Sequence, residues 1–135
     1  MEAIRLTASV RAALLAHARA EAPRECCGLL LGHDLSVDES VPATNVDSRP
    51  NRYELDPAIH IATRRRLRGT ARTIVGVYHS HPGSAPMPSR SDLAEAYYSE
   101  FIWVIVSLAV PEPEALAAFR LRHERVTPVL IETTG

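Results

Sequence analysis

The chain has 135 residues and a formal net charge of −1, from 15 basic and 16 acidic side chains, which excludes the strongly positive field used to bind nucleic acid or anionic lipid. Hydrophobic residues at 46% and charged residues at 23% are the balance of a globular protein and exclude a disordered one, and the length suits one domain over residues 1–135. The two cysteines, Cys26 and Cys27, are adjacent, too close for an unstrained bridge, so they read as reduced thiols in a reducing compartment.

The N-terminus carries an acid at Glu2 and no long apolar core, so it does not read as a secretory signal. A short strand around 4–6 leads to Thr7, a suitable N-cap, and Val10, Leu14, Leu15 and Ala18 then recur at helical spacing until Pro23 stops the helix. Residues 26–32 are wholly apolar and suit a strand buried on both faces. A second strand is expected over 40–44, followed by a polar turn over 45–51. Asp56-Pro57 opens a second helix with proline at its first position, running to about 68. Residues 73–78 (TIVGVY) read as a central strand ending at His79. A Pro/Gly/Ser loop over 81–88 then leads to a short helix over 89–98. Strands over 102–108, 115–122 and 126–131 close the chain. The 101–110 stretch is the longest apolar run and is too short to span a bilayer, so a soluble cytoplasmic protein is expected. Helices interleaved with strands predict an α/β (α+β) fold, a mixed central sheet covered by helices.

The chemistry concentrates in His79-Ser80-His81-Pro82 and the loop that follows it. Side chains at i and i+2 of a strand share a face, so the two imidazoles can converge on one point. Asp92 falls in the first turn of the next helix, where the dipole favours a carboxylate, and a proline-bearing loop returns that turn to the strand end. Two neutral imidazoles and a carboxylate suit zinc, and three protein ligands leave a fourth position for water, the mark of a catalytic site.

The pattern H-S-H-P, then S-x-x-D at Ser89 to Asp92 with seven residues (82–88) between His81 and Ser89, resembles the JAMM (MPN+) zinc metalloprotease family. Glu25, opening Glu25-Cys26-Cys27-Gly28-Leu29-Leu30-Leu31-Gly32, resembles the family's glutamate-bearing strand. The resemblance runs from the first helix to the strand at Phe101. It implies that His79, His81 and Asp92 bind one Zn2+ with a water, and that Glu25 takes a proton from that water and gives it to the leaving group. It also implies that Ser89 donates to the oxyanion, within a three-layer fold similar to cytidine deaminases. The deaminase signature itself, H-x-E with P-C-x-x-C, is absent from this sequence.

The family's substrates imply hydrolysis of an amide, isopeptide or related acyl bond at the C-terminal glycine of a ubiquitin-like or sulfur-carrier protein. Only eight residues separate Asp92 from Phe101, leaving no room for the insertion of some eukaryotic deubiquitinases, so the chain is similar to the compact prokaryotic members. Two other readings are a zinc hydrolase of small peptides or amides, and a non-catalytic MPN-type scaffold. Elsewhere the expectations are structural. Ser80 faces away from the histidine pair, Cys27 and Trp103 belong to the core, and His17, His33, His60 and His123 have no ligand-spaced partner. Arg64, Arg65, Arg66, Arg68 and Arg72 read as a solvated helix end, or as a docking patch for an acidic partner.

Overall fold

Each element starts where side-chain chemistry allows it. In the computed structural model, which describes residues 1–94, 100–122 and 125–135, Thr7 ends β1 (Ala3–Thr7) and caps α1 (Ala8–Glu21) by accepting the Val10 N–H at 3.2 Å. Such a cap contributes about 1 kcal/mol. The helix buries Val10, Leu14, Leu15 and Ala18, the stripe that the spacing predicts. Asp56 caps α2 (Pro57–Leu67) in the same way, with Pro57 in the first turn. Between the helices lie β2 (Cys27–His33) and β3 (Ser36–Ala43). After α2 come β4 (Thr73–His81), the short α3 (Arg90–Ala94), β5 (Ile102–Ser107), β6 (Leu116–Arg122) and β7 (Arg125–Thr134). The expected helix over 89–98 is described only as far as Ala94, and its remainder lies outside the described residues. Among those residues, no helix is long and apolar enough to cross a membrane.

The sheet is mixed, as expected, with β2 antiparallel to β3 and β4, and β4 parallel to β5. It also closes on itself in the order β1-β3-β2-β4-β5-β6-β7, because β1 pairs in parallel with both β3 and β7. A strongly twisted sheet of this many strands curls, and here the curl brings its two ends into register.

Helices on opposite faces divide the core in two. One cluster joins Val10, Leu14 and Leu15 of α1 to Leu6, Leu30, Val104 and Val106. The other joins Leu67 of α2 to Leu29, Leu31, Val77, Trp103 and Ile105. Successive residues of β2 and β5 therefore feed different cores, which is why both strands read as unbroken apolar runs. Gly76 lies so close to the Ile102 carbonyl that a Cβ there would collide with it. That glycine lets β4 lie close against β5, and β4 is the strand that carries the histidines.

Strand β3 begins at Ser36, four residues earlier than expected. Asp34 takes a positive φ of 53° and makes a tight turn after β2, and Asp38 and Glu39, which look like loop residues, sit inside the strand. Their charges are matched from outside: Arg66 reaches Glu39 at 2.8 Å, and Arg72 reaches Asp38 and Glu39. These pairs absorb two of the five clustered arginines.

Candidate active site

Strand register explains how Glu25 meets the histidines. Cys27 lies opposite His79 and Gly28 opposite Tyr78; continued by two residues, this antiparallel register sets Glu25 across from His81. Residues directly opposite in an antiparallel pair project to the same face. A carboxylate oxygen of Glu25 and a nitrogen of each of His79 and His81 all lie within 4.8 Å of one another, a group that could hold a metal ion. Ser80 faces the other way and ties the two strands at this point. Its hydroxyl accepts the Cys26 N–H at 2.8 Å, and its own N–H donates to the Cys26 carbonyl at 3.1 Å.

Asp92 arrives from α3 and inserts between the rings. Oδ1 is 3.1 Å from His79 Nε2, Oδ2 is 3.1 Å from His81 Nε2, and the two Nε2 atoms are 3.2 Å apart. Donors bound tetrahedrally at zinc-like bond lengths of about 2.0–2.1 Å stand roughly 3.3 Å apart. The separations match that edge, so the three side chains fit a divalent cation. Glu25 belongs to the wider grouping, while Asp92 is within hydrogen-bond distance of both rings.

The surroundings fix these side chains. His81 Nδ1–H donates to the Ala85 carbonyl at 3.0 Å, which fixes the ring with Nε2 facing Asp92. The loop after β4 is pinned to β5 by Ser107, whose hydroxyl donates to the Ser84 carbonyl at 2.6 Å. Ser89 and Asp92 cap each other reciprocally. The Ser89 N–H donates to Oδ2 at 2.9 Å, and the Asp92 N–H donates to the Ser89 hydroxyl at 3.1 Å. Thus Ser89 takes the helix cap. Since its oxygen acts there as an acceptor, the hydroxyl hydrogen is still available to donate.

Burial sets the electrostatics. It pushes the Glu25 carboxyl up to about 7, with His81 opposing and Asp92 adding to the shift. It also holds His79, which is fully buried, below its ordinary value against the pull of Asp92. His81 is pulled down by burial too, but the Asp92 bond and the Ala85 carbonyl outweigh this and leave it raised. For Asp92, burial is overturned by the hydrogen bonds from His79, His81 and the Ser89 N–H, which hold it well below the usual carboxylate range. The two histidines differ first in burial, which is complete at His79, and then in partners: His81 Nδ1 has the Ala85 carbonyl, whereas His79 Nδ1 has no partner among the described residues.

Three neighbours of the site were not singled out by spacing. Asn45 donates its amide N–H to the Glu25 carbonyl at 2.9 Å and to the Arg52 carbonyl at 3.1 Å, binding the loop over 45–54 to the backbone of Glu25. Tyr53 stacks on His79 with ring centroids 4.4 Å apart, and Trp103 meets the same ring edge-on at 6.0 Å. Asn45 and Tyr53 lie in or beside what reads as a polar turn, and no local pattern marks them. The other histidines have structural partners: His17 Nδ1 meets the Tyr78 hydroxyl at 2.8 Å, His33 lies near Asp34, and His60 accepts from Arg64. His123 lies outside the described residues. Burial pushes the Cys27 thiol up to about 12, so it is a core residue rather than a nucleophile.

Two buried histidines with buried carboxyl groups beside them, on a mixed sheet between two helices, form a group that could hold a metal ion, the kind of site a metallohydrolase needs. The chain belongs to the prokaryotic homologs of the JAB domain, whose family model matches residues 7–122. It is 32% identical over 117 residues to a CysO-cysteine peptidase of Mycobacterium tuberculosis, covering 85% of this chain and 80% of that protein. A desampylase of Haloferax volcanii is 36% identical over 109 residues, covering 76% and 78% respectively. A solution structure of a protein from Desulfitobacterium hafniense superposes with a TM-score of 0.88 at 30% identity, over 97% of this chain and 92% of that one.

Proposed function

We propose that this chain is a zinc-dependent peptidase or isopeptidase that hydrolyses the acyl bond at the C-terminal glycine of a ubiquitin-like or sulfur-carrier protein. The observation that carries the reading is the buried Asp92 carboxylate, 3.1 Å from Nε2 of both His79 and His81. The relatives named as CysO-cysteine peptidase, desampylase and TtuB-protein conjugate cleaving protease support the substrate class. The adjacent reduced thiols favour a cytoplasmic setting.

His79, His81 and Asp92 would hold one zinc, which when bound supplies a Lewis acid that acidifies water and polarises a carbonyl. Glu25 takes the proton of the attacking water. Glu25, a buried carboxylate beside the site, then delivers that proton to the leaving amine. Ser89, oriented by its bond to the Asp92 N–H, donates its hydroxyl hydrogen to the developing oxyanion. Ser89→Ala should lower kcat roughly 100-fold as that donor is lost. It should also lower stability by about 1 kcal/mol as the cap is lost, while Ser89→Thr should retain both properties; steady-state kinetics and thermal melts check this.

The deciding experiment uses zinc-loaded protein and a sulfur-carrier protein extended at its terminal glycine by one amino acid. Intact-mass spectrometry should show the added residue removed, and metal analysis should find about one zinc per chain. Protein that stays metal-free through careful purification, or that cuts short amides while leaving every carrier conjugate intact, would overturn the reading.

A further inference from the structure

The loop over 45–54 folds around the Asn45 side chain. Where β2 and β3 part, their antiparallel register, continued two residues beyond Cys27 and Ala43, sets Asn45 across from Glu25. At that point the Asn45 amide takes over from the backbone ladder. Its N–H groups donate to the Glu25 carbonyl at 2.9 Å and to the Arg52 carbonyl at 3.1 Å, while Oδ1 accepts the Asp47 N–H at 3.0 Å and the Glu54 N–H at 3.1 Å. Two donors and two lone pairs are the full capacity of an asparagine side chain, and all are used. Two of these bonds fall at a telling place. The Arg52 carbonyl belongs to the peptide group just before Tyr53, and the Glu54 N–H to the one just after it. Asn45 therefore grips the backbone on both sides of the residue whose ring stacks on His79, with 4.4 Å between centroids and 20° between planes. A third bond holds the backbone of Glu25, which stands just before the first residue of β2.

We propose that Asn45 is a positioning residue for the hydrolysis, its amide locking the Glu25 backbone and the Tyr53 cover of His79 into one frame. The inference rests on the hydrolase reading above. Asn45 acts through Glu25 and Tyr53 and not on the substrate. Proton transfer and metal ligation both depend on close placement, and a displacement of about 1 Å can cost roughly 100-fold in rate. Removing the amide need not unfold the loop. The Val46 N–H still donates to the Glu54 carbonyl at 2.9 Å and the Asp56 N–H to the Thr44 carbonyl at 3.1 Å. What is lost is the grip on Glu25 and on the two peptide groups that flank Tyr53.

Zinc-loaded Asn45→Ala should keep about one zinc per chain and lose kcat roughly 10–100-fold with KM unchanged. Asn45→Asp keeps both acceptor bonds and loses both donors, so its kcat should fall in the same direction, and it carries the test if the alanine variant does not fold. Thr7→Ala removes the α1 cap and costs stability alone; once folded, it should turn over like wild type. Tyr53→Leu added to Asn45→Ala should lose no more kcat than Asn45→Ala alone, because the grip on Tyr53 is already gone. In metal-free protein the stacked Tyr53 ring should shift the His79 ring-proton resonances upfield. Asn45→Ala should move them most of the way to their positions in Tyr53→Leu. Wild-type kcat in the folded Asn45 variants, a loss matched by Thr7→Ala, additive losses from Asn45→Ala and Tyr53→Leu, or His79 resonances indifferent to Asn45→Ala would each overturn the assignment and leave the hydrolase reading standing. Wild-type protein that cleaves no carrier conjugate, with His79 resonances that still follow Asn45→Ala, would instead overturn the hydrolase reading and the catalytic role drawn from it.

Discussion

Replacing Glu25 by glutamine is expected to leave metal binding intact and reduce turnover by roughly 10²–10⁴-fold, the scale of a positioned general acid–base group. Glutamine keeps the shape and the hydrogen-bonding oxygen of glutamate but can neither accept nor deliver the proton. The contrast with metal content is the informative part. Glu25, His79 and His81 together form a group that could itself hold a cation. If Glu25 were the third ligand in place of Asp92, Glu25→Gln would lose metal and activity together. Metal analysis and kinetics on one preparation therefore separate the two geometries.

The same substitution has a pH signature in metal-free protein. Burial raises the Glu25 carboxyl from 4.5 to about 7 in the folded chain. The folded state then holds its proton over a window in which the unfolded chain has already released it. Stability from this group is full below the unfolded value and is lost as pH rises from 4.5 through about 7. Glutamine has no charge to desolvate. Metal-free Glu25→Gln should therefore be more stable than metal-free wild type by roughly 1–2 kcal/mol at about pH 8, with the difference vanishing near about pH 4. Denaturant melts at the two pH values test this; a difference independent of pH would remove burial as the cause of the raised value.

Much of this architecture is legible in local sequence, and the illegible parts share a cause. The helix that buries Val10, Leu14, Leu15 and Ala18 follows from their spacing and from Thr7. The double-sided burial of β2 follows from its unbroken apolar run. The parallel closure of β1 on β3 and β7 does not, because it joins chain ends by backbone hydrogen bonds that leave no periodicity. The early start of β3 is hidden because its acids are stabilised by Arg66 and Arg72, far along the chain. The site divides in the same way. His79, His81 and Asp92 stand within one short segment whose strand-to-helix geometry is readable, whereas Glu25 stands out only through the family pattern. Tyr53 and Trp103 are brought to His79 by tertiary packing, and Trp103 reads in isolation as one more core residue.

His79→Ala is expected to have the other large effect: loss of metal, loss of activity and a less stable protein even before metal is added. Asp92 is buried, and it remains ionised because His79, His81 and the Ser89 N–H hydrogen-bond it against the pressure of burial. Removing one partner leaves a buried carboxylate partly uncompensated, a change that typically costs roughly 3–5 kcal/mol. The acid limb shows whether Asp92 is the cause. With its folded value depressed below 3.8, Asp92 contributes stability above that pH and loses it only as pH falls through the depressed value. In His79→Ala the depression is smaller, so acid unfolding should begin at a higher pH than in metal-free wild type. Added zinc should stabilise the wild type through binding to the folded state, by up to about 4 kcal/mol at a thousandfold excess over Kd, and so raise its melting temperature, and should leave His79→Ala unmoved. If His79→Ala still gained stability from zinc, the ion would be held elsewhere in the chain. The matched contacts of Asp92 to the two imidazoles would then be a hydrogen-bonded cluster and not a metal cage.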